Sequence, residues 1–494
     1  MAYLTFDLGS SSVKAALVSE EGELLALARR PVVLVHGADG SHLTDAAAVS
    51  AAAREAGRAA AALPARAGAD ASVRAIAVSG NGPTLVAVGP DGLPLHPALS
   101  WLDRRASAEA GEISDLSEIP VDPTFYLPKA LRLWRGSEDL RRKLKWFFSL
   151  PEYFLFGLCG NALTYLPHPG YLPYIWDDSL IDALDMPRGI FPPFAKPGEL
   201  AGSLTTEAAR ALGLRPGIPV VVGFPDFLAS IVGAGAMKVG IACDRSGTSE
   251  ALNICADRPF PGRELLSLPH AVDGLWNVSG GVSTAGAALD WISSILGLAP
   301  PAGDNGSDLV GRAALSPPGS RGLVFLPYLA GERAPLWDAS RRGAFVGLGL
   351  GHGREDLARA VCESIAFGLR LAADKARDER FPLRLARPSG SAASRDFLCA
   401  LKADALGIPF ELPEIADCEL VGDACACAAA LGDAASIAEA SEKLVRITRR
   451  IEPDPASSSA LDEAYGSFKS ALAALGPVDD RMNGTVRRAP GAGG

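Results

Sequence analysis

An aspartate near the start of the chain sits in an apolar run that ends in a glycine and three serines: Tyr3-Leu4-Thr5-Phe6-Asp7-Leu8-Gly9-Ser10-Ser11-Ser12. A second apolar run, Val13 to Val18, leads to a turn at Glu21-Gly22 and a third run beyond it. This predicts a β-hairpin with a small polar tip, followed by another strand. Small tip residues let backbone N–H groups approach a phosphate closely, and the Asp7 carboxylate suits a hydrated Mg²⁺. An ordinary hairpin has the same composition, so this stretch alone leaves both readings open. The tip has an echo in Ile241-Ala242-Cys243-Asp244-Arg245-Ser246-Gly247-Thr248-Ser249-Glu250-Ala251-Leu252-Asn253-Ile254. Two such hairpins far apart are the mark of two related domains. Asp226 follows the apolar run Pro219-Val220-Val221-Val222-Gly223 and precedes a small-residue helix start. A carboxylate at the carboxyl end of a strand can orient a hydroxyl and take its proton. The same position also suits a helix N-cap.

Paired hairpins directed at one nucleotide characterise the actin-like, sugar-kinase and Hsp70 ATPase architecture. Within that group the chain resembles the FGGY carbohydrate kinases through most of its length. Ile76 to Gly82, Asp91 to Leu95 and Ser100 to Arg105 resemble the family's substrate-side block. Gly223-Phe224-Pro225-Asp226-Phe227-Leu228-Ala229 with Gly233-Ala234-Gly235 resembles its catalytic-aspartate block. Pro327 to Asp338, then Arg342-Gly343 and Gly347-Leu348, give the strongest match. The resemblance implies an α/β fold of two ribonuclease H-like domains with a central interdomain cleft. It places an N-terminal domain at 1–239 and a C-terminal domain at 240–475, with a hinge near Met237 to Gly240; the stretch 476–494, with Gly, Pro and Arg and little apolar content, is expected to be a disordered tail. The implied activity is transfer of the γ-phosphoryl group of ATP to a sugar hydroxyl, with Mg²⁺.

The roles implied are then specific. Asp226 is the base. Asp7 holds Mg²⁺ through water. Ser10, Ser11 and Ser12 on one tip, and Gly247, Thr248 and Ser249 on the other, grip phosphate, with plain turn preference the alternative for any one serine. Sugar is read by Asn81, Gly82, Trp101 and Asp103 together with Asp226. Asn81 and Asp103 can hydrogen-bond vicinal hydroxyls, and Trp101 can form an apolar wall, core packing being its alternative. Gly82-Pro83 stands where glycerol kinases carry an Arg-Glu pair, which argues against glycerol. The Gly331 to Asp338 block is most similar to that of xylulokinases, so a ketopentose such as xylulose is expected, with other ketoses and polyols open.

The adenosine side departs from the family's pattern. Most members carry Gly-Gly-Gly-Ala-basic-Ser where this chain has Ser389-Gly390-Ser391-Ala392-Ala393-Ser394. Gly390 and Ser391 remain the expected nucleotide contacts. If the serines had to adopt positive φ, ATP binding would suffer, and a non-catalytic sugar sensor on the same fold is the competing reading. Glu332, Arg333 and Asp338 are expected in structural ion pairs, and His352 in a local cap.

Composition agrees with this reading. At 494 residues two domains are natural. The net charge of −10 argues against nucleic acid or an anionic membrane as partner. The cysteines form no CxxC pair, and no signal-like N-terminus or long uncharged apolar run is present. A cytoplasmic location with reduced thiols is expected. Dimers are common among relatives, so a homodimer is open, but the sequence itself does not set the oligomeric state.

Overall fold

A computed structural model describes residues 1–66, 72–117, 119–298 and 308–488, with side chains to 482. The chain divides into two units. The first comprises Met1–Gly235, Ala271–Asp273 and Asp417–Arg446, and the second Ala236–His270, Gly274–Ala416 and Ile447–Gly494. The expected linear boundary at 239/240 therefore lies close to the change of unit, but 417–446 returns to the first. The reason is local. The helix Cys418–Ala430 lies so close to the helix Asp226–Gly233 that a Cβ at Gly422 would stand 2.1 Å from the Ala229 carbonyl.

The first unit is built on a six-stranded sheet in the order Leu200–Ser203, Pro219–Pro225, Val73–Gly80, Ala2–Leu8, Ser12–Ser19, Leu24–Pro31. The last three strands form the predicted antiparallel meander, while Ala2–Leu8, Val73–Gly80 and Pro219–Pro225 run parallel. Both faces of Ala2–Leu8 are covered, so every residue in it is buried, and the run reads as continuously apolar except at Thr5 and Asp7. The parallel arrangement brings the carboxyl ends of three strands, at Leu8, Gly80 and Pro225, to one edge. Ligands bind at such ends in open α/β sheets.

The second unit repeats the plan. Its seven-stranded sheet runs Leu266–Pro269, Trp276–Val282, Glu250–Ala256, Ile241–Ser246, Leu385–Gly390, Phe410–Pro413, Ile447–Ile451. Ile241–Ser246 is antiparallel to Glu250–Ala256 and parallel to Leu385–Gly390, as Ala2–Leu8 is to its own neighbours. The long predicted helix spans Arg354–Asp378, and His352 accepts the Gly349 N–H at 2.9 Å just before it.

The disordered tail is corrected in part. A helix runs Pro455–Arg488, because residues distant in sequence hold its later turns. Arg341 donates to the Leu472 carbonyl at 2.9 Å and lies 3.9 Å from Asp479, and Ser340 lies 3.0 Å from Asp480. Residues 489–494 fall outside the described residues.

Candidate active site

In the first unit the hairpin register sets Asp7 opposite Lys14 on one side and Ser79 on the other. The Lys14 ammonium lies 3.0 Å from Asp7 Oδ2 and 3.0 Å from Asp417 Oδ1, and Arg29 also binds Asp417. Asp7 is 4% exposed. Burial is the main force pushing its carboxyl up to about 6; Lys14 pulls against it, and the charges of Glu419 and Asp226 add to it. Burial opposes the charge on Lys14, but Asp7, Glu419 and Asp417 outweigh it, so the ammonium is held above its usual range. Asp423, fully buried near Ser79, is pushed well above the usual carboxylate range, mainly by burial.

Asp226 is the first residue of its helix and directly follows the strand Pro219–Pro225; the N-cap is Pro225. Its Oδ1 accepts the Phe227 N–H at 2.7 Å. The carboxylate is thus not the helix N-cap. Its charge acts on both Asp7 and the Tyr126 phenol, so these groups share one region. Tyr126, which the sequence reading missed, opens the helix Tyr126–Gly136, and a Cβ at Gly82 would stand 2.5 Å from its hydroxyl. Gly82 is therefore a close-approach glycine. Nothing in local spacing marks Tyr126, because its partner is far away in sequence. The Tyr171 and Phe227 rings meet at a tilt with centroids 6.3 Å apart, and Tyr126 meets Trp176 edge-to-face at 6.1 Å, adding aromatic surface next to the aspartate.

The residues expected to read the sugar are braced against the first hairpin. Asn81 Nδ2 donates to the Leu8 carbonyl at 2.7 Å, and its Oδ1 accepts from Thr84 at 2.5 Å. One amide N–H and one oxygen lone pair are left over. Trp101 Nε1 donates to Ser10 Oγ at 2.8 Å, tying the expected sugar wall to the tip. The tip itself closes through Gly9 N–H to the Ser12 carbonyl at 3.1 Å, with Ser11 exposed. Asp103 is turned to the His42 N–H at 3.1 Å and to Arg105 at 2.8 Å. Burial resists its ionisation, yet Arg105 and those amides hold it below the usual carboxylate range. Its oxygens are occupied in shaping the loop that carries Trp101.

In the second unit Gly247, Thr248 and Ser249 are exposed at their tip. The start of the helix Ala285–Leu296 supports them: Gly286 N–H meets the Gly247 carbonyl and Ala287 N–H the Thr248 carbonyl, both at 3.2 Å. Ser246 joins this tip to the loop Ser389 to Ser394, its Oγ donating to the Ser389 carbonyl at 2.7 Å and accepting the Ala392 N–H at 2.8 Å. Beneath the tip Lys402 lies 2.7 Å from Asp244 and also binds Glu250. Burial and the neighbouring Asp244 push the Glu250 carboxyl up to about 8, against the pull of Lys402.

The altered loop has a simple backbone explanation. Gly390 has φ +84°, whereas neither Ser389 nor Ser391 has positive φ, so glycine is kept where it is needed. The backbone argument for a sensor falls away. Gly390→Ala would put a Cβ 2.0 Å from the Ser246 carbonyl. It is expected to cost about 1–3 kcal/mol and to raise the KM for ATP, checked by thermal unfolding and an ATP titration, while Ser391→Gly should change neither.

Glu332 is held by the amides of Ser283 at 3.0 Å and Arg333 at 2.7 Å rather than by a cation, while Asp338 pairs with Arg341 at 2.9 Å. The expectation of ion pairs thus holds for Asp338 and is corrected for Glu332.

Two family models cover most of these elements: the N-terminal domain of the FGGY family of carbohydrate kinases over residues 2–164 and 173–233, and its C-terminal domain over 245–431. The chain belongs to the FGGY carbohydrate kinases. It is 27% identical to a xylulose kinase of Staphylococcus epidermidis over 81% of this chain and 82% of that one. It is 30% identical to a glycerol kinase of Geobacter sp. over 85% and 88%. A ligand-bound xylulose kinase structure from Lactobacillus acidophilus superposes with a TM-score of 0.83 at 23% identity, covering 97% and 99%, a likeness of fold. This FGGY kinase has the family's two-domain actin-like architecture and uses ATP as co-substrate. Among the described residues no helix is long and apolar enough to cross a membrane.

Proposed function

We propose that this kinase phosphorylates a ketose, a pentulose of the xylulose type, with Asp226 as the base. The observation that carries the reading is the placement of Asp226 at the carboxyl end of its strand, in one region with Asp7 and Tyr126. A sugar hydroxyl hydrogen-bonded to Asp226 passes its proton to the carboxylate as its oxygen bonds to the γ-phosphorus and the bond from that phosphorus to the β–γ bridging oxygen breaks, ADP leaving. The bond from Phe227 N–H at 2.7 Å anchors Oδ1 and so fixes the carboxylate at the start of its helix.

Among the described residues no group of three or more His, Cys, Asp or Glu side chains could enclose a metal ion. Asp7, one buried carboxylate balanced by Lys14, instead suits a Mg²⁺ that keeps most of its waters, as Mg²⁺ does beside substrate phosphates. When bound, the ion would neutralise charge on the β- and γ-phosphates. Ser10 to Ser12 supply donors to phosphate in the first unit, and Gly247 to Ser249 with Gly390 and Ser391 do so in the second.

Substrate choice is supported by the relatives named xylulose kinases and by what surrounds Asn81 and Trp101. Arg105, a candidate partner for a sugar-acid carboxylate, is taken by Asp103 and Asp39, which disfavours gluconate. Gly82-Pro83 offers a triol no charged partner, which disfavours glycerol. A cytoplasmic location is supported by eight cysteines kept as thiols, seven of them buried. The test is ADP release across xylulose, ribulose, gluconate and glycerol. The highest kcat/KM is expected with a pentulose, and a strong preference for glycerol or gluconate would overturn the substrate assignment.

A further inference from the structure

Lys129 lies on the helix Tyr126–Gly136, is 1% exposed, and makes no use of its charge in an ordinary ion pair. The two carboxylates that face it are Asp103 and Asp122. Asp103 is turned to Arg105, and Asp122 to Arg104 at 3.1 Å and the Thr124 N–H at 2.9 Å. Lys129 Nζ donates instead to two backbone carbonyls, Pro83 at 2.8 Å and Ser100 at 2.7 Å. These belong to separate loops. Pro83 follows Asn81 and Gly82, and Ser100 precedes Trp101.

Followed further, the bonds form a closed circuit. Asn81 is fixed to the Leu8 carbonyl through Nδ2 at 2.7 Å and its backbone N–H at 2.9 Å. Trp101 is fixed to Ser10, two residues beyond Leu8. The circuit runs Leu8, Asn81, Pro83, Lys129, Ser100, Trp101, Ser10 and back. It encloses the segment between the phosphate tip and the sugar-side residues. Without Lys129 the two sugar loops are joined through the hairpin and the Leu85–Leu99 pairing, the Ser100 carbonyl keeps only the Asp103 N–H at 2.9 Å, and the Pro83 carbonyl loses the Lys129 donor. A carbonyl left without a donor away from water is costly, so the turn at Pro83 would shift away from the Trp101 loop to reach water.

We propose that Lys129 is a positioning residue that closes this frame, fixing the distance between the Asn81–Pro83 turn and the Trp101 loop and so the placement of the sugar hydroxyl. The inference rests on the reading that Asn81 and Trp101 meet the sugar. It assigns Lys129 no contact with substrate.

Steady-state kinetics of Lys129→Met, Lys129→Arg and Trp101→Ala with the best sugar of the panel test it. Because a misplacement of about 1 Å can cost up to about 10²-fold, Lys129→Met is expected to raise the sugar KM roughly tenfold or more and to lower kcat. The KM for ATP and the slow sugar-independent ATP hydrolysis should stay at wild-type values. Lys129→Arg, which keeps donors for both carbonyls, should recover most of the sugar KM. A folded Lys129→Met with wild-type sugar KM, while Trp101→Ala raises it, overturns the inference alone. If Trp101→Ala also leaves the sugar KM unchanged, the sugar-site reading fails and the inference with it. Should Lys129→Met not fold, Lys129→Gln, too short to reach both carbonyls, carries the same comparison with the same outcomes.

Discussion

Asp226→Asn is expected to lower kcat by about 10²–10⁴-fold, the range for loss of a positioned general base. The substitution is nearly isosteric, and the amide oxygen can still accept the Phe227 N–H that Oδ1 accepts at 2.7 Å. Fold and helix start should therefore survive, and the melting temperature should move little. KM for ATP should also change little, because Gly247 to Ser249 and Gly390, which we propose hold the nucleotide, belong to the other unit. Asn cannot take the hydroxyl proton, so the loss falls on the chemical step and not on binding. A variant with normal kcat would show that the base lies elsewhere.

Asp7→Asn should be the second largest loss, about 10²–10³-fold in kcat, the scale seen when one preorganised electrostatic contact to the transition state is removed. Two effects add. The carboxylate that suits a hydrated Mg²⁺ is gone, and Lys14 loses one of its anionic partners while keeping Asp417 at 3.0 Å. Lys14 would then be drawn toward Asp417 and Glu419, away from the hairpin end. Sugar binding without nucleotide, measured by calorimetry, should be unchanged, because Asn81 and Trp101 are held by Leu8 and Ser10 and not by Asp7. Raising Mg²⁺ should restore only part of the rate. Equal losses in sugar affinity and kcat would instead mark Asp7 as a purely structural residue.

Much of this was legible in the sequence because it is encoded locally. The two hairpins announce themselves by apolar runs flanking Gly/Ser tips, and both appear with matching sheet neighbours. Asp226 could be placed because a strand-to-helix turn needs only a dozen residues to recognise. Gly390 stood out as the one glycine left in an altered loop, and its φ of +84° explains why it was kept.

What was not legible depends on partners distant in sequence. Lys129 reads as one more basic residue on an amphipathic helix, and only its carbonyl partners at 83 and 100 reveal a buried brace. Lys14 looks like an ordinary strand lysine until Asp417, four hundred residues on, is found beside it. The return of 417–446 to the first unit has the same origin, since Gly422 matters only against the Ala229 carbonyl. The helix beyond Gly476, poor in apolar residues, is held by Arg341 and Ser340 rather than by a core of its own.

The most direct test of the central claim is transfer of label from γ-³²P-ATP to xylulose by the purified protein with Mg²⁺, compared with Asp226→Asn. Labelled sugar phosphate formed by the wild type and almost none by the variant is the predicted result. No labelled sugar phosphate from any pentulose, or equal labelling by the two proteins, would contradict the account.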